Sequence, residues 1–277
     1  MSEQVKITIR QRVEERNALL ERATSWLLDD PKIVATWLFG SLGRGDEDDL
    51  SDLDIFVVTK DEAIQNFILN RRTNATLGID NVCLIEAPQN RPPGGAYLMA
   101  LYPSGTGYHE VDWHWQAQSD ALIPTDAKLL FDRVGLSESV APTHFAYQST
   151  EPMKPDEEAL NKVGFFWAML LITAKHIARN PTESQSGLLK FVFQILLEIE
   201  ASLGYQGETY LPEHSQPEMK LECLRRFALR MSLLEPQILS QSNFQTQVIQ
   251  EKSIHLEMTM RFIDLVAPAI LGLKETL

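Results

Sequence analysis

The sequence predicts an α+β protein: a domain mixing strands and helices over residues 1–136, a linker over 137–154, and an all-helical domain over 155–277. Three observations carry that reading. Before residue 136, helical and strand periodicities alternate along the chain. Ser137–Lys154 is rich in Ser, Thr and Pro, the composition of a connection. From Pro155 onward only helical spacing recurs.

Taken in order, Ile9, Val13, Leu20, Ala23 and Leu27 fall near helical spacing and predict a helix over 8–29. Pro31 punctuates it, and Lys32–Phe39, β-branched and aromatic, suits a strand. Gly40-Ser41-Leu42-Gly43-Arg44-Gly45 reads as a turn or a short helix start. The acidic run Asp46–Leu50 lacks the glycine and closing glutamate of a calcium loop, so it reads as a solvated loop. It leads into a second strand at Asp52–Thr59. A helix at Asp61–Asn70 and a short strand near Val82–Glu86 follow, with Pro92-Pro93-Gly94-Gly95 as a loop. Tyr97–Tyr102 and Tyr108–Gln116 flank Pro103–Gly107 as a hairpin, and Lys128–Asp132 supplies a further short strand.

In the second half, Pro155 opens a helix whose first turn carries Asp156, Glu157 and Glu158 at the positive end of its dipole. It runs to Asn180 and is apolar on nearly every face over Val163–Ile172, which predicts burial. Further helices are predicted at Gln185–Leu203, stopped by Gly204, and at Glu218–Leu234 and Phe244–Leu273.

Composition narrows the function classes. The 277 residues hold 25 Lys+Arg against 38 Asp+Glu, a net charge of −13. Such a surface repels a phosphate backbone, so bulk nucleic acid is disfavoured as a partner. A cationic partner, or metal ions that offset local acidity, fits better. Cys83 and Cys223 form no C-x-x-C pair, which argues against a disulfide framework or a cysteine zinc site and suits a reducing cytosol. Charges throughout Met1–Arg22 argue against a signal peptide, and the apolar run around Val163–Ala174 is too short to span a bilayer. The expectation is a cytoplasmic protein with no membrane partner and an open oligomeric state.

Chemistry concentrates in two stretches. In Ser51-Asp52-Leu53-Asp54, alternation along a strand sets Asp52 and Asp54 on the same face. Two crowded carboxylates repel unless a cation lies between them, and hard oxygen ligands without nearby His or Cys suit Mg²⁺. Gly40 and Ser41, where a strand ends, can offer backbone N–H groups and a hydroxyl to phosphate oxygens. Arg44 reads either as a phosphate contact or as a surface arginine. In the second stretch, Glu110, Asp112 and His114 share one strand face, while Val111, Trp113 and Trp115 share the other and belong to the core. A third carboxylate there would complete a site for two metal ions. His114 is a possible proton acceptor or an ordinary strand histidine, and His109 points the other way.

Gly40-Ser41 followed by Gly45, then Ser51-Asp52-Leu53-Asp54 and a later strand with another carboxylate, resembles the nucleotidyltransferase superfamily with the DNA polymerase β-type catalytic fold. A helical second domain on a chain of this size is similar to antibiotic nucleotidyltransferases, which modify aminoglycosides or lincosamides. The resemblance implies a nucleotidyltransferase domain built on a mixed β-sheet with flanking helices. It implies Mg²⁺-dependent transfer of a nucleoside monophosphate from an NTP, ATP above all, to a hydroxyl of a small acceptor, with pyrophosphate released. It assigns Asp52, Asp54 and Asp112 to two metal ions, and Gly40, Ser41 and Arg44 to the nucleotide. Asp112 is preferred to Glu110 as third acid because Val111 and Trp113 flank it, and either can take the hydroxyl proton. An aminoglycoside-like acceptor fits the acidity of the chain, including Asp156, Glu157 and Glu158. An uncharged one would need a wall such as Phe145, Tyr147 and Phe165. Two other readings stay open: a protein-modifying, antitoxin-like nucleotidyltransferase and a non-catalytic nucleotide-binding regulator.

Overall fold

The computed structural model describes residues 3–143, 155–181, 187–206, 211, 216–241 and 254–274. The helix expected from residue 8 begins earlier, as α1 (Glu3–Asp29). It leads into β1 (Ile33–Phe39), the five-residue α2 (Gly40–Arg44) and β2 (Leu53–Thr59). A 3₁₀ turn at Asp61–Ala63 precedes α3 (Ile64–Asn74), and β3 (Cys83–Ile85) follows. The hairpin strands are longer than their hydrophobic runs: β4 is Ala96–Ser104 and β5 is Gly107–Ala117, so the connection shrinks to Gly105-Thr106. The two-residue β6 (Ile123–Pro124), β7 (Lys128–Asp132), α4 (Leu136–Ser139) and the two-residue β8 (Pro142–Thr143) complete this half.

Six strands form one sheet in the order β3-β4-β5-β2-β1-β7, while β6 and β8 pair separately. The sheet is mixed. β1 runs antiparallel to both β2 and β7, whereas β2 and β5 are parallel. The long route between β2 and β5, through α3 and β4, is what permits that parallel pairing.

Alternation decides what the two central strands bury. Leu53, Ile55 and Val57 of β2 and Val111, Trp113 and Trp115 of β5 all sit in the core with Leu19, Ala23 and Leu27 of α1 and Phe67 of α3. The Trp113 and Trp115 rings stack at 5.8 Å, and Trp113 Nε1–H donates to the Tyr102 hydroxyl at 3.0 Å. On the opposite face, Phe56 and Val58 pack with Trp37, Ala121, Ile123 and Leu136. That second core leaves the N-terminal end of β2 and the neighbouring part of β5 to polar residues.

The helical half comprises α5 (Pro155–Arg179), α6 (Gly187–Ser202), α7 (Pro217–Gln241) and α8 (Ile254–Lys274). The fourth helix starts later than expected, and Phe244 lies outside the described residues, as do Phe145 and Tyr147 and the side chains of 155–160. Pro236 and Pro268 lie inside α7 and α8. Phe166, Trp167, Ala168 and Leu170 are fully buried in α5, in line with its apolar stretch. No helix among the described residues is long and apolar enough to cross a membrane.

The chain divides into two compact units, and the division does not follow chain order. Arg12–Tyr102 and His109–Pro152 form one; Met1–Gln11, the hairpin tip Pro103–Tyr108 and Met153–Leu277 form the other. The reason lies at the tip. A Cβ on Gly107 (φ +105°) would meet the Met258 carbonyl at 2.7 Å and Phe262 at 2.9 Å, so only glycine lets the turn seat on α8. Tyr108 reaches His255 Nδ1 through its hydroxyl at 2.7 Å, and Trp167 stacks on that imidazole at 5.8 Å.

Candidate active site

The parallel register of β2 and β5 sets Asp54 directly beside Asp112, and Leu53 beside Val111. Because their apolar neighbours are committed to the core, these two carboxylates and Glu110 share the other face of the sheet. Asp52 stands one residue before β2. Asp52, Asp54, Glu110 and Asp112 are all half-buried.

Crowding leaves an electrostatic signature. The Asp112 carboxyl is held well above the usual carboxylate range, first by burial, then by the negative charges of Glu110, Asp54 and Asp52. The Tyr97 hydroxyl donates to Asp112 Oδ1 at 2.7 Å and partly counters that rise. Tyr97 in turn is pushed far above the ordinary tyrosine range by burial and by Asp112. Nearby, burial lowers the Arg12 guanidinium to about 10, while Glu15, Glu110 and Asp52 pull it back up. It therefore stays cationic at neutral pH, a built-in counter-charge only 5% exposed.

Gly40 takes φ +65°, and a Cβ there would overlap the Asp54 carboxylate. The need for glycine thus comes first from Asp54 rather than from an approaching phosphate. Gly43 is equally confined: its Cβ would lie 2.7 Å from the Leu38 carbonyl oxygen and 2.9 Å from that of Asp126. Ser41, half-buried, follows Gly40 at the start of α2. Arg44 is exposed and its Nε donates to Asp46 Oδ2 at 3.0 Å, a surface pair that raises its pKa.

His114 shares the acidic face but is sealed among aromatic rings. Tyr97, Phe39 and Phe56 stand 4.9, 5.0 and 6.2 Å away by ring centroid. Burial lowers its pKa to about 3, so it is neutral at physiological pH. His109, on the other face, has its Nε2 3.4 Å from Glu15 Oε2, and burial lowers it to about 4.

As the side chains stand, no three His, Cys, Asp or Glu among the described residues are gathered closely enough to hold a metal ion. The structure brings the four carboxylates into electrostatic range without closing them into a cage.

These residues fall within, or beside, a segment that a family model matches: residues 21–90 match "Polymerase beta, Nucleotidyltransferase". The chain carries a nucleotidyltransferase domain. The matched segment of that nucleotidyltransferase domain includes Gly40, Ser41, Arg44, Asp52 and Asp54, and stops before Glu110 and Asp112. No curated protein matches the sequence. Among solved structures, the chain is similar to that of the STING-associated CdnE c-di-GMP synthase from Capnocytophaga granulosa. The two are 12% identical, over 99% of this chain and 86% of that one, with a TM-score of 0.30. At that score the likeness carries no argument about the nucleotidyltransferase domain.

Sequence reasoning passed over Arg12, Arg16 and Tyr97. Arg12 and Arg16 were legible in principle: they occupy helical spacing with Leu19, Ala23 and Leu27, the stripe of α1 that faces inward. Two arginines on a buried stripe signal a task other than packing. Tyr97 had no comparable signal, because an aromatic residue at a strand start is ordinary core.

Proposed function

We propose that this nucleotidyltransferase moves a nucleoside monophosphate from a nucleoside triphosphate, with ATP as the donor, to a hydroxyl of a small acceptor, releasing pyrophosphate, with Mg²⁺ as its cofactor. The observation that carries the reading is the pairing of Asp54 with Asp112 on parallel neighbouring strands. Burial, together with the negative charges of Glu110, Asp54 and Asp52, raises the Asp112 carboxyl, the mark of acidic groups crowded on one face.

The donor set fits magnesium. Every candidate ligand is a hard carboxylate oxygen, and His114 is turned into an aromatic enclosure. Part of the upward displacement of Asp112 comes from the neighbouring carboxylates, a repulsion that a divalent cation would relieve. Asp52, Asp54 and Asp112 would hold the metal, two ions in all. Bound there, magnesium supplies neutralisation of the triphosphate and a more acidic acceptor hydroxyl.

The chain's own groups do the remaining work by position. Tyr97 fixes the orientation of Asp112 through its 2.7 Å hydrogen bond. Gly40 leaves Asp54 its place. The Ser41 hydroxyl and the backbone N–H groups beside it bind phosphate oxygens, with Arg44 as a further cation once released from Asp46. Asp112 or Glu110 accepts the proton of the attacking hydroxyl.

For the acceptor, the −13 charge favours a small cationic polyol of the aminoglycoside kind. The test is a screen of labelled triphosphates against aminoglycosides and uncharged acceptors at low and high salt. A cationic acceptor loses affinity as salt rises, because exposed charges are screened over about 8–10 Å at physiological ionic strength. Transfer confined to uncharged acceptors, or indifferent to salt, contradicts this acceptor class.

A further inference from the structure

Arg16 is 5% exposed, on the inward stripe of α1. A charge is placed there at a cost that Leu or Met would avoid, so its hydrogen bonds should show what it is for. Its Nη1 donates to the carbonyl of Asp48 at 2.8 Å and reaches that of Ser51 at 3.5 Å. Those two carbonyls bracket a turn that is already tightly bonded within itself. Asp48 Oδ1 accepts from the Leu50 backbone N–H and from the Ser51 hydroxyl, each at 3.0 Å. The Asp48 N–H donates to Ser51 Oγ at 3.0 Å, and the Ser51 N–H to the Asp48 carbonyl at 3.2 Å. Ser51, 3% exposed, is the residue immediately before Asp52.

A turn closed on itself moves as one body, so whatever tethers it sets the height at which the chain enters β2. We infer that Arg16 is a positioning residue for Asp52: from α1 it grips the Asp48–Ser51 turn by its carbonyls and so fixes where the Asp52 carboxylate stands beside Asp54 and Asp112. Both contacts come from Nη1, one at ordinary length and one at the outer limit, so the Asp48 carbonyl is the principal anchor. This deepens the proposed function and rests on its assignment of Asp52 to the metal.

Arg22, six residues along the same helix, supplies the control. Its Nε and Nη2 donate to the Leu77 carbonyl at 3.1 and 2.8 Å, and Nη2 also to that of Gly78 at 3.2 Å. It is the same kind of tether on a loop with no carboxylate site.

The experiment measures Mn²⁺ binding to the full chain by electron paramagnetic resonance, together with amide exchange over residues 48–53, for wild type, Arg16→Met, Arg16→Lys, Arg22→Met and Asp52→Asn. Arg16→Met should weaken Mn²⁺ binding by about 10–100-fold, the range for loss of a group that orients a ligand. It should also speed exchange across the turn. Arg16→Lys should fall between it and wild type, and it takes the place of Arg16→Met should that variant fold poorly. Arg22→Met should lower the melting temperature while leaving Mn²⁺ affinity unchanged. Unaltered Mn²⁺ affinity and exchange in the Arg16 variants, with Asp52→Asn impaired, overturns the positioning role alone. If Asp52→Asn itself binds Mn²⁺ as wild type does, the metal assignment falls, and the inference falls with it. Equal losses in Arg16→Met and Arg22→Met reduce Arg16 to a general stabiliser.

Discussion

Gly40 and Gly45 offer a matched pair of perturbations. Both sit at positive φ, +65° and +74°, so alanine at either pays for a left-handed backbone, roughly 1–2 kcal/mol. Their surroundings differ completely. A Cβ at Gly45 has nothing within 4 Å, whereas one at Gly40 would overlap the Asp54 carboxylate. Gly45→Ala should therefore show only the backbone cost, a fall of about 2–4 °C in Tm per kcal/mol for a domain of this size. Gly40→Ala must also force Asp54 out of its rotamer, of order 0.5–1.5 kcal/mol more. The larger consequence is chemical. Displacing a reacting-site group by about 1 Å can cost on the order of 10²-fold in rate. Gly40→Ala should thus lose about two orders of magnitude in pyrophosphate release, while Gly45→Ala stays within a few-fold of wild type. The assay is steady-state pyrophosphate release with Mg²⁺ and ATP, set beside metal-free thermal melting. Equal rates in the two variants would refute the argument that Gly40 exists to seat Asp54.

Asp112→Asn should change the pH dependence of stability in a defined direction. The folded pKa of Asp112 is raised, so its stabilising contribution is present below the ordinary carboxylate range and is lost as pH rises through the folded value. Without metal, Asp112→Asn should therefore gain stability over wild type more at pH 7.5 than at pH 4.5, and a pH-independent difference in Tm argues against the crowding. Tyr97→Phe removes the 2.7 Å donor to Asp112 and should cost about 1.5–3 kcal/mol where Asp112 is ionised and less where it is protonated; urea melts across the pH range test it. His109 and His255 are lowered to about 4 and His114 to about 3, so each stabilises above its ordinary value of 6.5 and that stability is lost as pH falls. The metal-free protein should lose Tm steadily from pH 6.5 to 4, and a flat profile would contradict the neutral burial of these rings.

Much of this arrangement could be read from period alone. Strand alternation placed Trp113 and Trp115 on one face and Glu110 and Asp112 on the other, and likewise separated Leu53 and Ile55 from Asp52 and Asp54, because the apolar set of each strand packs into the same core. The order of strands was another matter. Whether β5 lies beside β2, and in which direction, depends on a crossover through α3 and β4 that no local pattern encodes. The same limit hid the long-range partners. Arg16 meets the Asp48–Ser51 turn across more than thirty residues, and Tyr97 meets Asp112 through the hairpin. The tip of that hairpin groups with the helices because Gly107 lacks a side chain, a tertiary fact invisible in the run of Pro, Ser and Gly that marks the turn.

Asp52, Asp54 and Asp112 are proposed to form a metal-dependent site for nucleotidyl transfer. Its most direct test follows α-labelled ATP into acceptor and free pyrophosphate, with Mg²⁺ or with EDTA, for wild type and Asp54→Asn at equal folded concentration. Label transfer and stoichiometric pyrophosphate are expected for wild type with Mg²⁺, and neither with EDTA or in Asp54→Asn. Transfer that persists in Asp54→Asn, or in wild type stripped of metal, would contradict it.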